Sequence, residues 1–275
     1  MEDSIPEYLD WSNAFEILEK AHEQGIFVLV IGPKGTGKTT LVREFAKKQS
    51  MKLESINFSL RTRESHLVGS KSLSEGNIEF DEGILIKSMK EGNMLYLDEI
   101  NAAEADVLLR LDEALDDRRQ VVLKESGGEI VTANKSWFVI ATINPLNHVG
   151  TKELPPQLLS RFPIRLRMDY PPEEKELEIV KEHVPEASNE TLQRGIKLAN
   201  TLRQAASVEE LYYSPSLRET IAYAKLIDKD MSPKKAAEIV FGNVYAQWGN
   251  IELQKVNDII AVSYTHLTLP TNSLV

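Results

Sequence analysis

Apolar and polar positions along this chain follow two rhythms that take turns. Over residues 11–23, apolar side chains recur at Phe15, Ile17, Leu18 and Ala21, a helical spacing, with Asp10 or Ser12 available to cap the first turn. The run Phe27-Val28-Leu29-Val30-Ile31 that follows has no polar position and predicts a strand buried on both faces. A helix then opens at Lys38 and ends near Lys47 or Lys48, a second strand covers 53–60, and a short helix over 82–90 is stopped by Gly92. Met94-Leu95-Tyr96-Leu97-Asp98-Glu99 is a third buried strand, ending in two acids. After it, Asn101 with Glu104 has capping-box spacing, and Val107, Leu111 and Leu115 mark the inward face of a helix. Residues 120–123 and 129–131, joined across Ser126-Gly127-Gly128, read as a β-hairpin; 137–142 and 164–168 read as two more strands.

Strands alternating with helices in this way imply β-α units and a parallel, doubly wound α/β sheet. The polar interval 61–81 interrupts the alternation; with Gly69, Gly76 and the alternating Asn77-Ile78-Glu79-Phe80, it reads as an inserted helix or hairpin. Tyr170-Pro171-Pro172 ends the α/β pattern, since consecutive prolines stop both ladder and helix. Beyond, 173–184, 189–206, 216–228 and 233–248 have helical patterns. The expected organisation is an α/β domain over 1–170 and a small all-helical domain over 171–261. Residues 262–275 shift abruptly to Thr, Leu and Ser; 262–271 resembles one reading frame of a transposon adapter used in sequencing libraries, and this tail is expected to be non-native.

Composition narrows the classes. The net charge of −10 argues against a duplex-binding surface, which needs clustered Lys and Arg, although Arg61, Arg63 and His66 hint at a local basic loop. The sequence has no cysteine, which removes disulfide and thiolate-metal chemistry and fits the cytoplasm. No apolar stretch is long enough to span a bilayer, and Met1-Glu2-Asp3 does not begin a signal peptide.

The chemistry starts at Gly32-Pro33-Lys34-Gly35-Thr36-Gly37-Lys38-Thr39-Thr40, a P-loop standing between a strand and a helix. Backbone N–H groups there converge on an anion, and glycines allow the close approach. Lys38 is placed to reach the β/γ-phosphates and Thr39 to ligate Mg²⁺. Asp98, at the carboxyl end of a buried strand, is suited to hold the cation through its water shell, with Glu99 polarising the attacking water. Asn144 stands at the end of the strand run Phe138-Val139-Ile140-Ala141-Thr142-Ile143, at the same carboxyl edge of the sheet, where ligands of open α/β sheets bind, and is placed to orient that water.

In this order the motifs resemble an AAA+ ATPase across nearly all of residues 11–261: Walker A at Gly32 to Thr39, Walker B at Met94 to Glu99, sensor 1 at Asn144, then Ser160-Arg161-Phe162 and a helical lid. Phe80-Asp81-Glu82-Gly83-Ile84-Leu85, Leu97-Asp98-Glu99-Ile100-Asn101-Ala102-Ala103, the hairpin after Arg118-Arg119, and Leu154-Pro155-Pro156-Gln157-Leu158-Leu159-Ser160-Arg161-Phe162 are most similar to the MoxR-type group, in particular the NorQ and CbbQ branch. The resemblance implies a P-loop sheet sandwiched by helices with a helical lid. It implies Arg161 as the arginine finger acting on a neighbouring subunit, and Arg218 as sensor 2 in the lid. ATP and Mg²⁺ are the implied ligands, and a homo-oligomer, a hexamer, the implied assembly. The implied partner is a von Willebrand A-domain protein with its client complex. The 61–81 insert and the 120–131 hairpin resemble loops that face the ring pore or a partner. The alternative is an AAA+ nucleotide-driven subunit, ATP- or GTP-using, of a nucleic-acid-processing machine.

Overall fold

The computed structural model describes residues 8–74, 77–145 and 152–265. Its first helix, α1 (Ala14–Glu23), buries Ala14, Leu18 and Ala21. The residue at its N-cap is Asn13, in the left-handed region (φ 56°), whose own side chain makes no cap bond. The all-apolar run becomes β1 (Val28–Ile31), and α2 (Lys38–Lys48) follows directly on the glycine loop. Strand β2 (Leu53–Asn57) ends three residues short of the expected 60, where exposed Leu60 gives it nothing to pack against.

The inserted interval holds both of the forms its pattern allowed. Helix α3 (Glu64–Val68) leads into a hairpin of β3 (Gly69–Ser74) and β4 (Asn77–Glu82). Helix α4 (Ile84–Glu91) stops at Gly92, whose φ of 72° suits a residue without Cβ. Then come β5 (Met94–Asp98), a 3₁₀ turn at Ile100–Ala102, and α5 (Ala105–Leu115), which buries Val107, Leu108, Leu111, Ala114 and Leu115. The residue that caps α5 is Glu104, without a side-chain bond; Asn101 lies outside the helix and is used elsewhere. A second hairpin pairs β6 (Gln120–Leu123) with β7 (Glu129–Thr132), followed by β8 (Phe138–Ile143), α6 (Pro156–Ser160) and β9 (Ile164–Arg167).

Five parallel strands form the central sheet in the order β2-β5-β8-β1-β9. Val28 pairs with Ile140 on one side and Ile164 on the other, so β1 is flanked by strands at every position and all of Val28, Leu29 and Val30 are fully buried. Met94 pairs with Phe138 and Leu97 with Ala141, which puts the ends of β5 and β8 level. The carboxyl ends of β1, β5 and β8 therefore carry Gly32, Asp98 and Asn144 along one edge.

The chain divides into two compact units, Ser12–Asp169 and a second made of the residues from Tyr170 onward together with those up to Trp11. The second unit contains α7 (Glu173–His183), α8 (Asn189–Ser207), α9 (Leu217–Asp228), α10 (Pro233–Ala237) and α11 (Asn250–Thr265). The expected single helix over 233–248 is broken after Ala237 into a π turn (Glu238–Gly242) and a 3₁₀ segment (Asn243–Trp248). Phe241 and Tyr245 both reach the core formed with Leu198, Leu202, Tyr223, Val256 and Ile260. Helix α11 was not among the expected elements; it runs through 262–265, the first residues of the tail expected to be non-native, and 266–275 lie outside the described residues.

Candidate functional site

The loop between β1 and α2 is anchored from below. Gly32 donates its N–H to Ile143 O at 3.3 Å and Met168 donates its N–H to Ile31 O at 2.8 Å. A Cβ at Gly32 would stand 2.1 Å from Met168 O, so only glycine lets β1 turn there between its two neighbours. Gly37, at φ 92°, delivers the chain into α2. Thr36 Oγ1 donates to Pro33 O at 3.0 Å and locks the loop's middle. The eleven-residue α2 begins directly at this loop, and a helix N-terminus is what an anion needs.

Lys38 is 7% exposed, and its ammonium donates to Gly32 O at 2.6 Å, Pro33 O at 2.8 Å and Asn144 Oδ1 at 3.0 Å. Asn144 in turn donates from Nδ2 to Glu99 Oε1 at 2.9 Å. The P-loop cation, the amide and the acid thus form one hydrogen-bonded chain. Two residues that the sequence motifs did not single out hold it. Asn101 donates from Nδ2 to Asn144 O at 2.9 Å, and Thr142 Oγ1 accepts the Glu99 N–H at 3.0 Å while donating to Asp98 Oδ1 at 2.6 Å. Glu99 itself sits at φ 57°, ψ 45°, a conformation that costs a non-glycine residue on the order of 1–3 kcal/mol and concentrates at functional sites.

Thr39 and Asp98 meet through a third such residue. Tyr96 OH is 3.2 Å from Thr39 Oγ1 and donates to Asp98 Oδ1 at 2.7 Å. Burial, with the Asp98 charge beside it, pushes the Tyr96 phenol above its ordinary range, so it is protonated. A hydroxyl and a carboxylate a single hydroxyl apart are a hard-oxygen pair of the kind Mg²⁺ takes when phosphates and waters complete its shell. Among the described residues no group of three or more His, Asp or Glu side chains is arranged to hold a metal alone. The donor set therefore fits a cation shared with a phosphate chain.

Lys34 is exposed and Thr40 half-buried on the loop and first turn. Arg161 follows α6 and is held by α5: Nε donates to Asp112 Oδ1 at 2.9 Å and Nη1 to Asp116 Oδ1 at 3.1 Å, with the side chain 26% exposed. The Asp112 bond raises the Arg161 pKa further above its ordinary value. Arg218 lies exposed in the first turn of α9 in the second unit, where Ser216 accepts its backbone N–H and forms a capping box with Glu219. Tyr212 is 73% exposed and stacks on Trp248 at 5.9 Å.

A family model described as "AAA domain (dynein-related subfamily)" matches residues 27–162. Among curated proteins, the denitrification regulatory protein NirQ of Pseudomonas aeruginosa is 31% identical over 241 residues, covering 87% of this chain and 90% of that one. NirQ of Stutzerimonas stutzeri is 28% identical over 84% of this chain and 82% of its own length. A crystal structure of a Cytophaga hutchinsonii protein superposes with a TM-score of 0.51 at 20% identity, covering 91% of this chain and 89% of that one, which speaks to the fold. Among the described residues no helix is long and apolar enough to cross a membrane.

Proposed function

The chain belongs to the MoxR-type AAA+ ATPases, with the NirQ proteins among its relatives, and on that premise we propose that it is a Mg²⁺-dependent ATP-hydrolysing subunit of a homo-oligomeric ring, a hexamer, that remodels or activates a partner protein complex. The observation that carries the hydrolytic half is the chain Lys38–Asn144–Glu99 at the carboxyl edge of the sheet. Phosphate oxygens entering the loop offer Lys38 stronger acceptors than the carbonyls of Gly32 and Pro33, because charge-assisted bonds outweigh neutral ones. Glu99 then takes the proton of the attacking water, and Asn144 holds water and acid in register. Mg²⁺, when bound at Thr39 and Asp98, neutralises charge on the phosphate chain.

Support for the ring comes from Arg161. A guanidinium in partly exposed ion pairs is available to a neighbour's nucleotide, where it would bind equatorial phosphoryl oxygens. A residue supplied in trans requires a head-to-tail contact, and repeated contacts of that kind close into rings. The family likeness favours Arg218, on a helix of the second unit, as the sensor 2 residue. The relatives' description as denitrification regulatory proteins favours action on another protein, and the family likeness favours a von Willebrand A-domain protein as the intermediary. The acidic balance disfavours nucleic acid as the load. The cysteine-free sequence suits work in the cytoplasm.

Sedimentation with and without a slowly hydrolysed ATP analogue, run beside phosphate release at a series of protein concentrations, tests the reading. Nucleotide-stabilised closed oligomers and turnover per chain that rises with concentration are expected. A monomer whose specific activity is independent of dilution would overturn the ring, and faster turnover of GTP than ATP would overturn the base assignment.

A further inference from the structure

Tyr96 lies two residues before Asp98 on β5, is 2% exposed, and spends a polar group in an otherwise apolar strand. Its surroundings settle the direction of its bonds to Asp98 and Thr39. A phenol has one proton, and a carboxylate oxygen only accepts, so the 2.7 Å bond to Asp98 Oδ1 uses that proton. The 3.2 Å contact with Thr39 must then run the other way, Thr39 donating to the phenol oxygen. Thr142 contributes the second hydroxyl proton to the same Asp98 Oδ1, having accepted the Glu99 N–H on its own oxygen.

This polarity has two consequences. The Thr39 hydroxyl proton is drawn towards Tyr96, so the lone pairs of Oγ1 face away from the phenol, ready to accept a cation instead of rotating freely or bonding back to the preceding turn of α2. Asp98 is clamped through Oδ1 by two donors, and among the described residues no hydrogen bond engages Oδ2, the oxygen left for a cation's water shell. The geometry points to Tyr96 as a positioning residue of the divalent-cation site: its hydroxyl presets the Thr39 rotor and the Asp98 carboxylate for Mg²⁺. A phenylalanine would fill the strand equally well and would leave both groups unset. This inference rests on the Mg²⁺-nucleotide reading above.

The test is the Mg²⁺ dependence of nucleotide affinity, measured by titrating a methylanthraniloyl-labelled ATP against the full chain over a range of Mg²⁺ concentrations and in EDTA. Tyr96→Phe is expected to raise the half-saturating Mg²⁺ roughly fivefold, the factor carried by one net hydrogen bond, and to leave affinity in EDTA unchanged. In a Thr39→Ala background the same substitution is expected to add a smaller effect, since only the bond from Tyr96 to Asp98 remains to be lost. Equal Mg²⁺ dependence in Tyr96→Phe and the parent, or a full additional effect in the Thr39→Ala background, would overturn the role of Tyr96. If circular dichroism finds Tyr96→Phe unfolded, Tyr96→Met, adaptable and also without a hydroxyl, takes its place: a raised Mg²⁺ requirement supports the role and an unchanged one overturns it. Nucleotide binding by the parent that ignores Mg²⁺ altogether would sink the underlying cation site and the inference with it.

Discussion

Asn144 holds the carboxylate of Glu99 by a 2.9 Å bond from Nδ2, and accepts the ammonium of Lys38 at Oδ1 from 3.0 Å away. One amide therefore reads the state of the phosphate-binding lysine on one side and of the general base on the other. Because Asn101 fixes the Asn144 backbone from a third direction, that amide has little freedom to drift. Glu99→Gln keeps the size of the side chain and removes only its basicity. It is expected to bind ATP with near-parental affinity and to lower kcat by about 10²–10⁴, the usual worth of a positioned base. Asn144→Ala is expected to follow it in kcat with binding retained. Phosphate release and nucleotide trapping measure the two quantities separately, and near-normal turnover in Glu99→Gln would remove Glu99 as the base.

Much of this cluster was legible in the sequence because its members sit at the ends of strands with only one reading. Val28–Ile31, Met94–Asp98 and Phe138–Ile143 are apolar runs bounded by breakers, and a parallel sheet lines up their carboxyl ends. The helpers were not legible, since their roles depend on register. Thr142 meets Asp98 only because Leu97 pairs with Ala141, and Tyr96 reaches Thr39 only because α2 packs over β5. Asn101 carried a capping signal with Glu104 that its bond to Asn144 overrides, an instance of tertiary contact outcompeting a local motif. The break in the helical segment after Pro233 was not legible, because Ala237, Phe241 and Tyr245, all buried in one core, keep the four-residue spacing of an unbroken helix.

Arg161 is expected to separate catalysis from binding. Its guanidinium rests on Asp112 and Asp116, one turn apart along α5 and its C-terminal cap, and makes its bonds there at 2.9 and 3.1 Å. Acting on a neighbour's nucleotide, Arg161→Ala should leave ATP affinity intact and reduce kcat by about 10³–10⁵, the range known for arginine fingers. Mixing Arg161→Ala with Glu99→Gln chains should restore part of the activity, because a mixed interface pairs an intact base with an intact finger. Loss of ATP binding in Arg161→Ala, or mixtures that stay inactive at every ratio, would place the residue outside the trans site.

The helical unit carries its own pH dependence. Burial of His183, with the charge of Lys225 beside it, lowers its pKa below the ordinary value of 6.5. The folded form therefore disfavours the imidazolium, and the unfolded chain takes up the proton first as pH falls. The stability contributed by the neutral ring is fully present above 6.5 and is lost as pH drops through 6.5 towards the lower folded value. Denaturant midpoints taken about one unit on either side of 6.5 should show the lower-pH midpoint reduced, and His183→Gln should flatten that slope. A slope that survives the substitution unchanged would assign it to other groups.

The ion pair between Glu176 and Arg203 sets the strictest demand on the same unit. Glu176 is 0% and Arg203 8% exposed, and the guanidinium grips the carboxylate at 2.6 and 2.9 Å. Its remaining donors reach Pro215 O at 2.8 Å and Asn200 Oδ1 at 2.7 Å, and its face lies 4.2 Å from the Tyr170 ring centroid. One side chain thus ties α7, α8 and the loop that begins α9 together, next to the Ser216 cap that starts the helix bearing Arg218. Removing one partner strands a buried charge, which costs about 3–5 kcal/mol, whereas replacing both by apolar residues of similar volume is often close to neutral. Glu176→Ala is therefore expected to lower the denaturant midpoint steeply, and the double change Glu176→Leu with Arg203→Met to recover most of the loss. Because the bonds described for the pair all lie within the helical unit, recovered stability in the double variant should come with parental affinity for labelled ATP; a double variant as unstable as Glu176→Ala would mean that the pair's bonds to Pro215 and Asn200, rather than charge burial, dominate its contribution.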